Sequence, residues 1–267
     1  MKIKIFSLNT LGVPFSPNLK IRIGLIQNYI KKTSPDFVMF QECGDIFLLR
    51  NLKKNLDGLY NFHPNTFSGL INRHGALLFL SKRPIKSYEF RKYSSSAGPY
   101  LPFSFAEYLS QKGVQICKIE IDGKKITLLN THLSASFFNN QKEYIHIKVQ
   151  LDELINLIKE ISLAEKIITG GDFNFPPENQ LYRYFIDATN MVDPLFGKNL
   201  FTHTKENLNI KPIFRKLVWA NKREDYIFLK GISDNHIFQQ ICDQKFNYNG
   251  KIYDLSDHYG ILTTITL

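Results

Sequence analysis

Short apolar runs separated by polar residues recur along the whole chain. The first alternates, Lys2-Ile3-Lys4-Ile5, and reaches polar Ser7 and Asn9, which predicts a strand over 2–9. Further runs rich in Ile, Val, Phe and Leu predict strands over 36–42, 75–81, 113–122, 124–132, 165–172, 224–230 and 259–267. Asp122-Gly123 joins two of them, and Asp-Gly supplies the positive-φ backbone that a tight hairpin needs. A spacing of three and four takes over in 19–32, with Ile23, Ile26 and Ile30, and in 144–161, with Ile147, Leu151, Leu154, Ile158 and Ile161. Both stretches predict helices with one apolar face. Hairpins mixed with helices, with no long linker and no fixed-period repeat, predict an α+β chain. It is read as one domain over 1–267, two packed sheets with helices outside.

Composition narrows the class. The 267 residues are 43% hydrophobic and 22% charged, ordinary globular values that exclude a disordered or fibrous chain. Cys43, Cys117 and Cys242 are odd in number and lack a Cys-x-x-Cys spacing. That argues against a disulfide framework or a structural zinc site and for a reducing compartment. The longest purely apolar run, Ala76 to Leu80, is far too short to cross a bilayer, and the N-terminus has no signal-peptide core. A cytoplasmic location is the expectation. A net charge of +10 favours an anionic partner, with nucleic acid, phospholipid headgroups and soluble phosphates all open.

The chemistry gathers where strands end. Asn9 closes the first strand, and Phe37-Val38-Met39-Phe40 runs into Gln41-Glu42. Ile126 to Leu129 ends in Asn130-Thr131-His132, and Ile167-Ile168-Thr169 opens into Gly170-Gly171-Asp172-Phe173-Asn174. Asp225 starts another strand, and Ser256-Asp257-His258 leads into the last. A charge at the end of an apolar strand is costly unless paired, solvated or metal-bound. Six such positions point to side chains converging on one edge of a sandwich. Carboxylates suit a hard cation, imidazoles move protons, and amides hold oxygen atoms.

In type and order these residues resemble the endonuclease/exonuclease/phosphatase superfamily, over positions 9 to 258. The resemblance implies a deoxyribonuclease-like fold, a four-layer αββα sandwich of two mainly antiparallel β-sheets flanked by helices. It also implies hydrolysis of a phosphodiester with Mg²⁺, for which Mn²⁺ is a substitute. Glu42 matches the metal carboxylate, Asn9 the amide near metal and phosphate, and Asp257 a carboxylate of the metal site or its surround. His258 matches the general base, with Asp225 orienting a site histidine. Asp172 would position the water, while Asn174 and His132 would bind phosphate oxygens. Arg223 is read as a phosphate contact. The remaining histidines, His63, His74, His146, His203 and His236, read as surface or structural residues, and Asp193 as a structural turn element. Thr202-His203-Thr204 falls in the stretch that carries substrate loops in the family, and Lys53-Lys54 and Lys82-Arg83 read as solvated charge.

Lys112-Gly113-Val114 and Asn130 to Ala135, followed by a helix containing Gln150, look like the neutral sphingomyelinase branch. Ser136 departs from it, since those enzymes carry an acidic residue there. A sphingomyelin-like phospholipid is the favoured substrate, and the aromatic stretches Tyr93 to Phe105 and Phe137-Phe138 are candidate contacts with a membrane surface. A Mg²⁺-dependent nuclease on DNA or RNA, supported by the charge, is the first alternative. A non-catalytic effector or binding module on the same scaffold is the second.

Overall fold

The computed structural model describes residues 1–14, 16–64, 72–96, 108, 111–135, 141–210, 221–233 and 236–267. Ser136, Phe137-Phe138 and the stretch from 97 to Phe105 lie outside the described residues. One sheet has six strands in the order β10 (Ile237–Cys242), β13 (Gly260–Thr266), β1 (Lys2–Gly12), β2 (Phe37–Cys43), β4 (Leu78–Ser81) and β3 (Asn61–His63). The other has five, β5 (Ser87–Lys92), β6 (Gly113–Ile121), β7 (Lys124–His132), β8 (Lys166–Asp172) and β9 (Asp225–Lys230). The helices described are α1 (Leu19–Thr33), α2 (Ile46–Leu56), α3 (Gln141–Glu160) and α4 (Gln180–Thr189). A separate hairpin pairs β11 (Phe246–Tyr248) with β12 (Lys251–Tyr253). Among the described residues no helix is long and apolar enough to cross a membrane.

Alternation along the strands creates the layers. Ile3, Ile5, Phe37, Met39 and Phe79 face Cys117, Ile119, Ile126, Leu128, Ile168 and Ile227 between the sheets. Phe6, Leu8, Val38 and Phe40 point the other way and meet Ile23, Ile26 and Ile30 of α1 and Leu48, Leu49 and Leu52 of α2. On the second sheet Ile116, Leu129, Ile167 and Phe228 pack against Ile147, Leu151 and Leu154 of α3 and Leu181 and Phe185 of α4. The result is the four-layer sandwich of helix, sheet, sheet and helix. All eight predicted strands and both predicted helices are present. The structure adds α2, α4, β3, β5, β10, β11 and β12, and shortens the strand expected over 75–81 to Leu78–Ser81.

Two parallel pairs set the working edge. β1 lies parallel to β2 with Asn9 opposite Gln41, and β7 lies parallel to β8 with His132 opposite Asp172. Each pair is joined through a helix, α1 or α3, as parallel neighbours require. β9 runs antiparallel to β8 and brings Asp225 opposite Asp172. Gly171 makes the close approach of β7 and β8 workable. Its φ is 146°, and a Cβ there would lie 1.9 Å from the Thr131 carbonyl oxygen.

A buried amide ladder fixes the two sheets relative to each other beneath that edge. Gln41 Nε2 donates to Asn130 Oδ1 at 2.8 Å, and Asn130 Nδ2 donates to Gln115 Oε1 at 2.8 Å and to the Phe40 carbonyl at 3.1 Å. Apolar surfaces alone slide cheaply; a directional hydrogen bond across the interface sets the register.

Candidate active site

The six strand ends that the sequence singled out do meet. Asn9 Nδ2 bridges the two sheets, donating to Glu42 Oε1 at 3.0 Å and Asp172 Oδ2 at 2.9 Å. Its oxygen accepts the Leu11 N–H at 3.1 Å, which uses one of two lone pairs. Asp172 Oδ1 accepts the backbone N–H of Asn174 at 2.9 Å, and Asn174 Nδ2 donates to the Leu133 carbonyl at 2.8 Å. That last bond holds Asn174 in its left-handed turn, φ 56°. His132 Nε2 stands 3.6 Å from Asp172 Oδ2, near enough for charge to matter and too far for a hydrogen bond. The segment after His132 is held by Gln150 of α3, whose Oε1 accepts the Ser134 N–H at 2.8 Å and whose Nε2 donates to Ser134 Oγ at 2.9 Å.

His258 Nδ1 lies 2.8 Å from Asp225 Oδ2 and 3.9 Å from Asp172 Oδ2. Burial pulls its imidazole toward the neutral form, but Asp225 and Asp172 outweigh that and hold it well above its ordinary value. His132 goes the other way, driven well down by burial and then by the charges of Lys112 and His258. Glu42 is raised by burial and by the facing charge of Asp257, against a hydrogen bond from Asn9 that favours the ionised form. Asp172 is raised by burial and by Asp225. The edge thus gathers the carboxylates of Glu42, Asp172, Asp225 and Asp257 around His258.

That cluster is the test of fit for a divalent cation. Glu42, Asp257 and Asn9 offer oxygen donors, the set a hard dication prefers, and the burial and the facing charge of Asp257 that raise Glu42 are what such an ion would offset. Asp172, Asp225 and His258 each place one ligand atom within 4.8 Å of the others, and so do His203, Asp257 and His258. The donor chemistry fits.

Two sequence readings need correction. Arg223 is not turned to a phosphate: it is buried, with Nη1 donating to Asp193 Oδ1 at 2.9 Å and Nη2 to Asp193 Oδ2 at 2.6 Å. The guanidinium fork is spent on both carboxylate oxygens, which also makes Asp193 the structural residue it was expected to be. His203, read with the structural histidines, stands at the site, its ring centroid 5.0 Å from that of His258. Its neighbour explains the placement. Thr202 O accepts the Tyr259 N–H at 2.7 Å, and Thr202 Oγ1 accepts the N–H groups of Glu224 and Asp225. Polar flanks of a Thr-His-Thr segment were the available signal, but its partners lie too far along the chain to be read locally.

Comparison with known proteins agrees with this geometry. The model of the endonuclease/exonuclease/phosphatase family matches residues 6–258. A Drosophila melanogaster protein provisionally named a neutral sphingomyelinase is 26% identical over 275 residues, covering 100% of this chain. The chain spans 61% of that relative's length. Among solved structures, a double mutant of Staphylococcus aureus beta toxin with bound magnesium ions superposes with a TM-score of 0.79 at 19% identity, covering 100% of each chain. Truncated Caenorhabditis elegans TDP2 gives 0.75 at 19% identity, covering 100% of this chain and 98% of that one. At such identities the superpositions speak to the fold.

Proposed function

The chain belongs to the endonuclease/exonuclease/phosphatase family, and from that premise we propose that it is a divalent-cation-dependent phosphodiesterase acting on a sphingomyelin-like phospholipid. The observation that carries the reading is the Asp225–His258 pair, 2.8 Å apart and set among carboxylates and amides at one sheet edge. Glu42, Asp257 and Asn9 would hold the cation, Mg²⁺ or its substitute Mn²⁺. When bound, it shields the charge of the phosphodiester and stabilises the leaving oxygen.

The rest is done by side chains. With Nδ1 of His258 committed to Asp225, Nε2 is the nitrogen that takes the proton of the attacking water. Asp225 then stabilises the imidazolium and keeps the ring in place. Asp257 is among the charges, after Asp225 and Asp172, that hold a proton on resting His258, and a cation held there would offset that charge and favour the neutral form a base needs. Asp172 orients the water. His132, held neutral, and the amide of Asn174 donate to the non-bridging oxygens as negative charge develops on them.

Two features support a phospholipid. The resemblance of Lys112-Gly113-Val114 and Asn130 to Ala135 to the neutral sphingomyelinase branch is one, and the name of the Drosophila relative accords with it. The other is the β11–β12 hairpin, which exposes Tyr248 and Ile252 beside Lys251 shortly before Asp257 in the chain. Apolar side chains next to lysine suit peripheral contact with a lipid surface. The net charge of +10 favours the second reading, a nuclease. Purified protein assayed in Mg²⁺ on sphingomyelin liposomes and on plasmid DNA, with His258→Ala as control, decides between them. Phosphocholine release with intact plasmid supports the lipid reading, and nicking with intact sphingomyelin supports the nuclease. Inactivity on both favours the binding module.

A further inference from the structure

Arg22 sits in the first turn of α1 and is completely buried, so it touches neither solvent nor substrate. Its guanidinium is nonetheless fully engaged. Nε donates to the Pro17 carbonyl at 2.8 Å, Nη1 to the carbonyls of Thr10 at 2.6 Å and Leu255 at 3.3 Å, and Nη2 to the Leu11 carbonyl and Ser16 Oγ at 3.0 Å each. Among the described residues no carboxylate lies within ion-pair reach of it. A buried charge matched only by neutral acceptors is expensive, and a well-packed apolar side chain would fill the same volume more cheaply.

The acceptors explain what the charge is for. Thr10 and Leu11 directly follow Asn9, and Thr10 Oγ1 lies 2.9 Å from the Gln41 carbonyl and 3.2 Å from that of Glu42. Leu255 comes two residues before Asp257. The fork therefore ties the segment that carries Asn9, and through Thr10 the one that carries Glu42, to the segment that carries Asp257 and His258. Burial pulls the guanidinium down, and the charges of Asp257 and Glu42 act against that pull.

We infer that Arg22 is the positioning residue of the cation-binding half of the site, fixing the span between Glu42 and Asp257 across which a divalent cation is held. The inference rests on the proposed cation at Glu42 and Asp257. Lysine keeps the charge but lacks the planar fork, so it cannot reach carbonyls on three segments at once.

The test is a calorimetric titration of Mg²⁺ into the full chain, its Arg22→Lys variant and its Ser16→Ala variant, each checked for a native melting transition above the titration temperature. Supporting groups behind metal ligands typically change affinity by roughly 10- to 100-fold when lost. Arg22→Lys is expected to weaken Mg²⁺ within that range, and Ser16→Ala, which removes one of the bonds, by a smaller factor. A merely structural arginine would lower the melting temperature and leave the affinity of the folded protein unchanged. Wild-type affinity in folded Arg22→Lys overturns the inference while the cation site stands. Where Arg22→Lys fails to fold, unchanged affinity in Ser16→Ala overturns it. A wild-type chain that takes up no Mg²⁺ overturns the cation site itself, and the inference with it.

Discussion

Arg223 and Arg22 are both buried beside strand ends that carry site residues, but only Arg223 is paired with a carboxylate where it stands. It is clamped by both oxygens of Asp193, lies over the Tyr226 ring at 4.9 Å, and shares Asp193 with the hydroxyl of Tyr182 at 2.8 Å. That network closes on itself and holds β9 against α4. Arg22 is bonded to carbonyls on several segments, and its charge stays available to Asp257 and Glu42. A buried cation with its own carboxylate belongs to the scaffold; one without it belongs to whatever negative charge it faces.

The largest effect separating scaffold from site is catalytic. His258→Ala should lower turnover by about 10²–10⁴-fold with the fold retained, because it removes the base and leaves the Arg223–Asp193 clamp untouched. Steady-state rates together with a circular dichroism spectrum check this, and near-normal turnover would take the role from His258. The scaffold side breaks differently. Asp193→Ala leaves Arg223 charged, buried and unpaired, which should cost about 3–5 kcal/mol in urea unfolding. Mg²⁺ affinity of the folded fraction should stay unchanged, and a large shift there would erase the distinction between the two arginines.

Glu42→Gln gives a smaller effect of opposite sign. A carboxyl held above its ordinary range favours the folded state while protonated, and that advantage is lost as pH rises through the raised value. Removing the charge should leave the metal-free protein more stable than wild type above that range, while Mg²⁺ uptake disappears. Thermal melts across pH, with and without Mg²⁺, read both. Arg83→Ala, which removes a partly exposed pair with Asp36 at 3.0 Å, should cost less than about 1 kcal/mol and sets the floor.

Strand ends were readable in the sequence because a carboxylate or amide closing an apolar run is anomalous in itself. Glu42, Asp172 and Asp257 needed no partner to stand out. α2 passed unnoticed although Leu48, Leu49, Leu52 and Leu56 keep helical spacing behind an Asp45 cap, because it follows β2 after so short a connection. β5, Ser-Tyr-Glu-Phe-Arg-Lys, lies at the edge of its sheet and carries no fully buried residue, so its pattern is mostly polar. Arg223 was misread because the residue that claims it lies 30 positions away, and local sequence shows only a cation near a strand. His203 reaches the site through Thr202 and Tyr259, far apart in sequence, and Arg22 looks from its neighbours like any helix arginine.

The reading proposed for this chain is a phosphodiesterase whose water is activated by His258 beside a cation held at Glu42 and Asp257. Its most direct test is phosphocholine release from sphingomyelin liposomes by the purified chain, followed through addition of excess chelator and then of excess Mg²⁺. Release that stops with chelator, returns with Mg²⁺ and never appears in Glu42→Gln is the predicted result. Release that continues undiminished in excess chelator would contradict the claim.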